Sequence, residues 1–468
     1  MPRRVVAALL AGAALAAGAG LPAGAEASHD QTVYFEAPRD LLNAATRDRS
    51  LAELDGLGVR ALRVVLYWRS VAPAAASRTR PAFDATDPAG YRWGQYDALV
   101  SAAAQRGWSL LMTVSGPVPR WATAGARDNV TRPSALEFGR FMTAVGRRYG
   151  DRVATWSVWN EPNHPQFLAP QFVGRRPASP RIYRGLFQAA IDGLHAAGLN
   201  QARVLMGETA PRGTGHDVAP LTFLRGALCL DTHYRRSPSC STLAADGYAH
   251  HAYTTVAGPF FRPPGPNDVT IGVLSRLTRA LDRAAQARAV PHRLDVYLTE
   301  FGIQSKPNPF LGVSLARQAE YQELSELIAW SNPRVRAFSQ YLLRDDPQIS
   351  RPGGSTPGGG YIGFQSGLRL ARGRAKPALA GFRLPLTVRR HGGHVSLWGL
   401  VRPARRVSTV ELLTRDGTRG RWRLATVLHT DASGYWTARA PYRPRRRWRV
   451  RWRTPGGPVQ LGAPIRSY

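Results

Sequence analysis

From about Gln31 to about Ala380, short apolar runs of strand type alternate with segments patterned as helices. Alternation of this kind predicts parallel strands covered by helices, because each crossover must return the chain to the same end of the sheet. The strands are expected at Thr32–Glu36, Ala61–Tyr67, Ser109–Val114, Val153–Trp159, Val204–Gly207, Gly247–Ala252, Leu294–Thr299 and Val335–Leu343. Helical patterns follow at Leu41–Leu57, Tyr91–Arg106, Ser134–Tyr149 and Arg181–Ala197, then weakly near Pro220–Leu230, then at Ile271–Ala287 and Leu315–Trp330. A last short helical piece begins at Lys376–Ala380. Eight strands each followed by a helix is the count of the closed (β/α)₈ barrel. The rival, an open doubly wound sheet, announces itself by a Gly-rich phosphate turn after the first strand. No such turn is present.

The chain beyond the barrel reads differently. Val395–Val401, Val407–Thr414, Trp422–His429, Tyr435–Ala440 and Trp448–Trp452 are short and strand-like, with turn signals between them at Asp416-Gly417, Ser433-Gly434 and Pro455-Gly456-Gly457. In Trp448-Arg449-Val450-Arg451-Trp452 apolar residues alternate with arginine, which puts one face inward and one in solvent. A small all-β sandwich is therefore expected over 381–468, after a barrel over 28–380. The Gly/Pro-rich Pro352–Gly360 follows the eighth strand and is expected to loop near the barrel mouth.

Residues 1–27 are read as an export signal outside the fold. Arg3 and Arg4 precede the apolar, Ala-rich Val5–Leu21, and Ala23-Gly24-Ala25 and Ala25-Glu26-Ala27 are small-x-small cleavage candidates. No second apolar stretch of spanning length follows, so no membrane span is expected after cleavage. In an exported chain the pair Cys229 and Cys240 suggests one disulfide closing a short loop. The formal net charge is +32, yet only Lys306 and Lys376 are lysines, so the excess is a skew towards arginine that tempers inference from charge. The excess is uneven. Residues 381–468 hold 19 Arg against Glu411, Asp416 and Asp431, a net of +16. Such a surface attracts polyanions. An exported protein seldom meets nucleic acid functionally, which leaves an anionic cell-wall polymer as the expected partner.

In a barrel of this kind, active sites sit at the C-terminal ends of the strands. The fourth strand ends in Val158-Trp159-Asn160-Glu161-Pro162-Asn163, where Pro162 cannot donate a ladder bond and stops the sheet. The seventh ends in Val296-Tyr297-Leu298-Thr299-Glu300-Phe301-Gly302. Three βα units apart, Glu161 and Glu300 face one another across the mouth. Two carboxyls in one cleft are what glycosidic cleavage needs, one to protonate the departing oxygen and one to attack the anomeric carbon or activate water. Crowding and desolvation can hold an acid and a base together near neutral pH. The plain alternative, that each glutamate merely pairs with an arginine, fits one strand-end Glu better than two at this spacing. Glu208 ends the fifth strand in Met206-Gly207-Glu208-Thr209 without an evident role.

On these residues the chain resembles glycoside hydrolase clan A, the retaining barrel enzymes, and within it families 5 and 39. The resemblance is carried by Gly58–Tyr67, Asp87–Asp97, Pro119-Arg120-Trp121-Ala122, Trp159–Asn163, His251-Ala252-Tyr253, Thr299–Gly302 and Lys376-Pro377-Ala378. It implies a secreted glycosidase with Glu161 as acid/base and Glu300 as nucleophile, acting on a carbohydrate without a cofactor. It further implies that Asn160 bonds the sugar 2-hydroxyl, Arg63 keeps the nucleophile ionised, Tyr253 bonds the nucleophile and His251 lines the same subsite. A structural ion pair for Arg63 and a satisfied core histidine for His250 or His251 stand beside those roles. Adjacent histidines on a strand point to opposite sides, and a third spaced ligand is missing, so no metal is expected. Trp68 and Trp121 are candidate stacking platforms for sugar rings, or else caps of the core. One departure stands out: the clan usually has Trp at the end of strand eight, where this chain has Gln340-Tyr341 and then Arg344-Asp345-Asp346. Transfer of the glycosyl group to another sugar, or polymer binding on an inactive barrel, are the competing functions.

Overall fold

Apart from Glu36, Arg63, Glu208, His250 and Asp295, the first seven barrel strands are built of apolar, aromatic or small residues that are mostly buried on both faces, the hallmark of a parallel sheet sheathed in helices. In this computed structural model the description covers Ser28 and residues 31–347, 349–350, 361–404, 406–454 and 456–467. The export segment and the Pro352–Gly360 loop expected from sequence lie outside the described residues. The chain divides into two compact units, one ending at Phe382 and one beginning at Arg383.

The first unit is a closed parallel barrel. Its strands are β1 (Thr32–Glu36), β2 (Ala61–Tyr67), β3 (Ser109–Ser115), β4 (Thr155–Val158), β5 (Val204–Thr209), β6 (Gly247–His250), β7 (Asp295–Leu298) and β8 (Val335–Tyr341). Each pairs with its neighbours in sequence, and β8 closes on β1 with Thr32 opposite Ala337 and Glu36 opposite Tyr341. Tyr34, Ala61, Leu111, Leu205, Ala249, Tyr297 and Ala337 fill the interior as one buried cluster, small residues from some strands making room for rings from others.

The helices pack outside. The main ones are α1 (Ala44–Gly56), α2 (Gly94–Gln105), α3 (Ala135–Tyr149), α4 (Ser179–Ala196), α5 (Pro220–Ala227), α6 (Leu274–Gln286), α7 (Leu315–Trp330) and α8 (Pro377–Arg383). In α3 the side chains of Phe138, Phe141, Met142, Val145 and Tyr149 recur at helical spacing and are buried, while the Ser134 Oγ caps the first turn by accepting from the Glu137 amide. The single first helix expected over Leu41–Leu57 is two: a short turn at Pro38–Leu41, then α1, whose start is fixed by the Asn43 side chain accepting from the Ala45 amide. Among the described residues no helix is long and apolar enough to cross a membrane.

The second unit is all-β. One antiparallel sheet joins β9 (Leu386–His391), β10 (His394–Leu400) and β13 (Tyr435–Pro441). The other runs β12 (Arg423–His429), β11 (Thr409–Asp416), β14 (Arg446–Arg453) and β15 (Val459–Leu461), with β16 (Ile465–Arg466) also on β14. Both sheets contribute to one core that includes Val388, Leu397, Leu412, Trp436, Trp448 and Trp452. The sequence reading missed β9 because its second half, Arg389-Arg390-His391, is exposed throughout and breaks the alternation.

Candidate active site

Glu161 reaches the barrel mouth through a strained turn. Trp159 and Glu161 both take left-handed backbone, at φ 71° and 40°. Such conformations cost about 1–3 kcal/mol each and persist only where the surroundings over-determine them. Here they do. The Trp159 ring is buried against Phe138, and its Nε1–H donates to the Phe167 carbonyl at 3.1 Å. The Asn160 amide donates to Ser115 Oγ at 2.9 Å, and the Glu161 amide to the Glu208 carbonyl at 3.0 Å. The Asn163 side chain accepts from the Ala210 amide and donates to the Val218 carbonyl, tying the turn to the β5 loop. Glu208 is itself left-handed (φ 47°), following Gly207 at φ 108°, where a Cβ would lie 2.5 Å from the Ala249 carbonyl.

Arg63, in the middle of β2, is fully buried and forms the centre of the site. Its Nη1 donates to Glu36 and, at 2.9 Å, to Glu300 Oε2. Its Nη2 donates to Asn160 Oδ1 at 2.7 Å and to Glu208 Oε2 at 2.6 Å. Nε lies 3.3 Å from Thr113 Oγ1, and the Thr113 hydroxyl donates to Glu208 Oε1 at 2.8 Å. A guanidinium without partners at this depth would be prohibitive; one shared among three carboxyls is not. Because the Asn160 oxygen is committed to Arg63, its NH₂ is the end left to meet a ligand.

Two further bonds complete the constellation. The Tyr253 hydroxyl donates to Glu300 Oε1 at 2.7 Å. His251 Nδ1 lies 2.9 Å from Glu161 Oε1 and 3.9 Å from Glu300 Oε2, so those two oxygens are no more than 6.8 Å apart. Both carboxyls keep a window on solvent, with side chains 18% and 12% exposed.

The electrostatics sort the groups. Burial works to raise the Glu300 pKa, but His251, Arg63 and the Tyr253 hydroxyl outweigh it and hold the carboxyl below its ordinary value. Burial opposes charge on His251, yet Glu300 and Glu161 beside it raise its pKa. Glu36 is the opposite case: burial, with Glu300 adding repulsion, pushes it up to about 7 against the pull of Arg63. Glu36 and Glu300, both bonded to the same Arg63 nitrogen, are thus pushed in opposite directions.

The structure therefore brings Arg63, Asn160, Glu161, His251, Tyr253 and Glu300 into one cleft. His250 turns away: Thr209 donates to its Nδ1 at 2.9 Å, its Nε2–H donates to the Val269 carbonyl at 2.8 Å, and burial takes its pKa down to about 3. The expectation that Trp68 and Trp121 stack on sugar is corrected. After β2 the chain enters a short helix, Trp68–Val71, that drives the Trp68 ring into the helix layer, fully buried and stacked on Phe141 at 5.1 Å. Trp121 packs edge-on against it, with Nε1–H donating to the Pro73 carbonyl. Both belong to the core.

An exposed aromatic beside the cleft is Phe364, 38% exposed, edge-on to Tyr341 at 5.3 Å and 6.4 Å from the Tyr253 ring. Its backbone is held on both sides, since its amide donates to Asp346 Oδ2 and its carbonyl accepts from the Asp346 amide. Sequence reasoning missed Phe364, which lies past the Gly/Pro-rich segment, outside any strand. It also missed Glu36 and left Glu208 without a role, although each ends a strand as Glu161 and Glu300 nearly do. Cys229 and Cys240 form a disulfide. Among the described residues no group of three or more His, Cys, Asp or Glu could hold a metal.

No protein-family model and no curated protein matches the sequence. Among solved structures, the chain is similar to a glucosidase from Croceicoccus marinus, with TM-score 0.52 and 12% identity over 94% of this chain and 96% of that one. A β-glycosidase from Thermosphaera aggregans aligns at TM-score 0.46 and 15% identity, over 75% of this chain and 95% of that one. Xylanase 10B from Thermotoga maritima aligns at TM-score 0.46 and 14% identity, over 76% and 94%. At such identity the likeness is one of fold: the chain is a (β/α)₈ barrel followed by an all-β domain.

Proposed function

We propose that this chain is a retaining glycoside hydrolase in which Glu300 is the nucleophile and Glu161 the acid/base. The observation that carries the reading is the separation of the two carboxyls, bounded at 6.8 Å between the oxygens nearest His251 Nδ1. Retaining enzymes place the pair about 5–5.5 Å apart and inverting enzymes about 6.5–9.5 Å, to fit a water between. The bound on this one pair of oxygens supports the closer spacing.

The roles follow from the surroundings. Glu300 is held low by His251, Arg63 and Tyr253, so it is ionised and able to attack the anomeric carbon. Glu161 passes a proton to the departing oxygen as that bond breaks. In the second half, Glu161 as carboxylate takes a proton from water, the water oxygen bonds the anomeric carbon, and Glu300 leaves. The Asn160 NH₂ is offered to a sugar hydroxyl, and Phe364 with Tyr341 presents an aromatic surface suited to the C–H face of a pyranose ring. The glucosidase likeness in fold fits this chemistry. Export after removal of residues 1–27 fits the disulfide between Cys229 and Cys240. A carbohydrate is the substrate on this reading, and the Arg-rich β unit would meet an anionic polymer at the cell surface.

The test is chemical rescue. On an activated aryl glycoside accepted by the native chain, azide is expected to restore turnover to Glu161→Ala and give an azide adduct of retained configuration. Glu300→Ala is expected to yield no retained adduct. The reverse pattern would exchange the two roles, and an inverted product from the native enzyme would end the retaining mechanism.

A further inference from the structure

The five-stranded sheet of the second unit sends Val410, Leu412, Val450 and Trp452 into the core, so the alternate residues of the same strands face the other way. Register lines these up across strands. Val427, Glu411, Arg451 and Leu461 make one row. Leu424, Leu413 and Arg449 make another, Arg415 lies beside Arg447, Thr409 beside His429, and Arg453 beside Val459. Arginines 447, 449, 451 and 453 thus form a column along β14, spaced by about 7 Å, two residues of extended chain.

Three observations make this face more than a basic patch. The column is under-neutralised: Glu411 pairs with Arg451 and Asp416 with Arg446, but among the described residues no carboxylate pairs with Arg406, Arg447, Arg449 or Arg453. Burial, with Arg466 and Arg415 crowding it, lowers the Arg447 pKa, and burial with Arg415 lowers that of Arg449. Second, the face is apolar as well as cationic. Val407, Leu424, Val427, Val459 and Leu461, the large apolar side chains most exposed in this unit, all lie on this sheet or the segment entering it. Third, a cavity of about 420 Å³ is lined by Arg406, Ser408, Thr409, Arg451 and Arg453, with Glu411, already paired with Arg451, and the buried Trp452 also in its wall.

We infer that this sheet face binds an acidic polysaccharide, the arginine forks taking its carboxylates and the valine and leucine side chains its C–H faces. Guanidinium matches carboxylate geometry in pairs of parallel bonds, and the hydroxyls of Ser408 and Thr409 suit a sugar. Single-stranded nucleic acid fits less well, because it needs free aromatic faces on which bases stack. Trp452, in the wall of the cavity, is buried, and Trp422 on the same sheet is already covered by Arg415 at 4.7 Å and Arg449 at 5.6 Å from its ring. The inference concerns binding alone and does not depend on the chemistry of the barrel.

The experiment measures binding of the full chain to polygalacturonate, to its methyl-esterified neutral form and to single-stranded DNA, at about 0.05 and 0.2 M salt. Polygalacturonate is expected to bind, the neutral form at least about tenfold more weakly, and DNA no tighter than polygalacturonate. Arg451→Gln with Arg453→Gln is expected to weaken polygalacturonate binding by about tenfold or more and to flatten its salt dependence. Arg390→Gln with Arg439→Gln, on the other sheet, removes the same charge and is expected to leave binding within about twofold. Equal losses in the two double variants, tighter binding of DNA, or no binding of polygalacturonate at the lower salt would overturn the inference. A pair Arg451→Lys with Arg453→Lys, which keeps charge and loses the planar fork, guards against misfolding of the Gln variant, and full affinity in it would equally refute the assigned recognition.

Discussion

Replacing Tyr253 by Phe removes one oxygen and leaves the ring that packs near Phe301 at 6.0 Å and Phe364 at 6.4 Å. What is lost is the 2.7 Å bond to Glu300 Oε1. A hydrogen bond to a charged group contributes about 1.5–3 kcal/mol, and 1.36 kcal/mol corresponds to one pKa unit, so the Glu300 pKa should rise by about 1–2 units. Arg63 at 2.9 Å still donates to the other oxygen, which favours the lower end. On the proposed mechanism Glu300 works as the carboxylate, so the acidic limb of the kcat/KM–pH profile should move to higher pH by about one unit, and activity below that limb should fall about tenfold. The assay is kcat/KM against pH on an activated aryl glycoside, paired with thermal unfolding of both proteins. An acidic limb that stays in place in a variant folded as well as the native chain would refute the claim that Tyr253 sustains the ionised nucleophile.

Two other expectations test neighbouring groups. Glu36 is raised from 4.5 to about 7 in the folded chain, so the stability it confers is full below the unfolded value and is lost as pH climbs through 7. Glu36→Gln keeps a polar partner for Arg63 without titrating, so its Tm relative to the native chain should improve between about pH 5 and pH 8; a difference independent of pH would contradict the proton held there. Phe364→Ala should raise KM for an accepted glycoside by about 3–10-fold with kcat little changed, while Phe364→Tyr retains the native KM; an unchanged KM in the alanine variant would remove the ring from the sugar site.

The barrel was legible because burial on both faces forces near-continuous apolar runs such as Leu62–Leu66, and because capping residues such as Ser134 and Ser314 sit where helices start. Glu161 was legible for a different reason: Pro162 ends the ladder and marks the strand terminus. What sequence could not show is which way a residue just past a strand turns. Trp68 and Glu161 both follow strand ends, yet one enters a helix and packs against Phe141, and the other is turned by left-handed backbone to face the cleft. That choice is made by long-range bonds, Asn160 to Ser115 and Glu161 to Glu208, which no local pattern encodes. Glu36 escaped notice because its meaning is relational: it matters only once Arg63 is seen to divide one nitrogen between it and Glu300.

The central guanidinium has a consequence for how this protein acquires its shape. Arg63 draws partners from the ends of β1, β4, β5 and β7 and from the middle of β3, so six of the eight staves, its own included, meet at a single cation. A partly assembled ring, lacking any one of those strands, would carry a carboxylate or the cation itself without its match in a dry interior. The side chains proposed to carry out the chemistry and those that tie six strands together are therefore largely the same few groups.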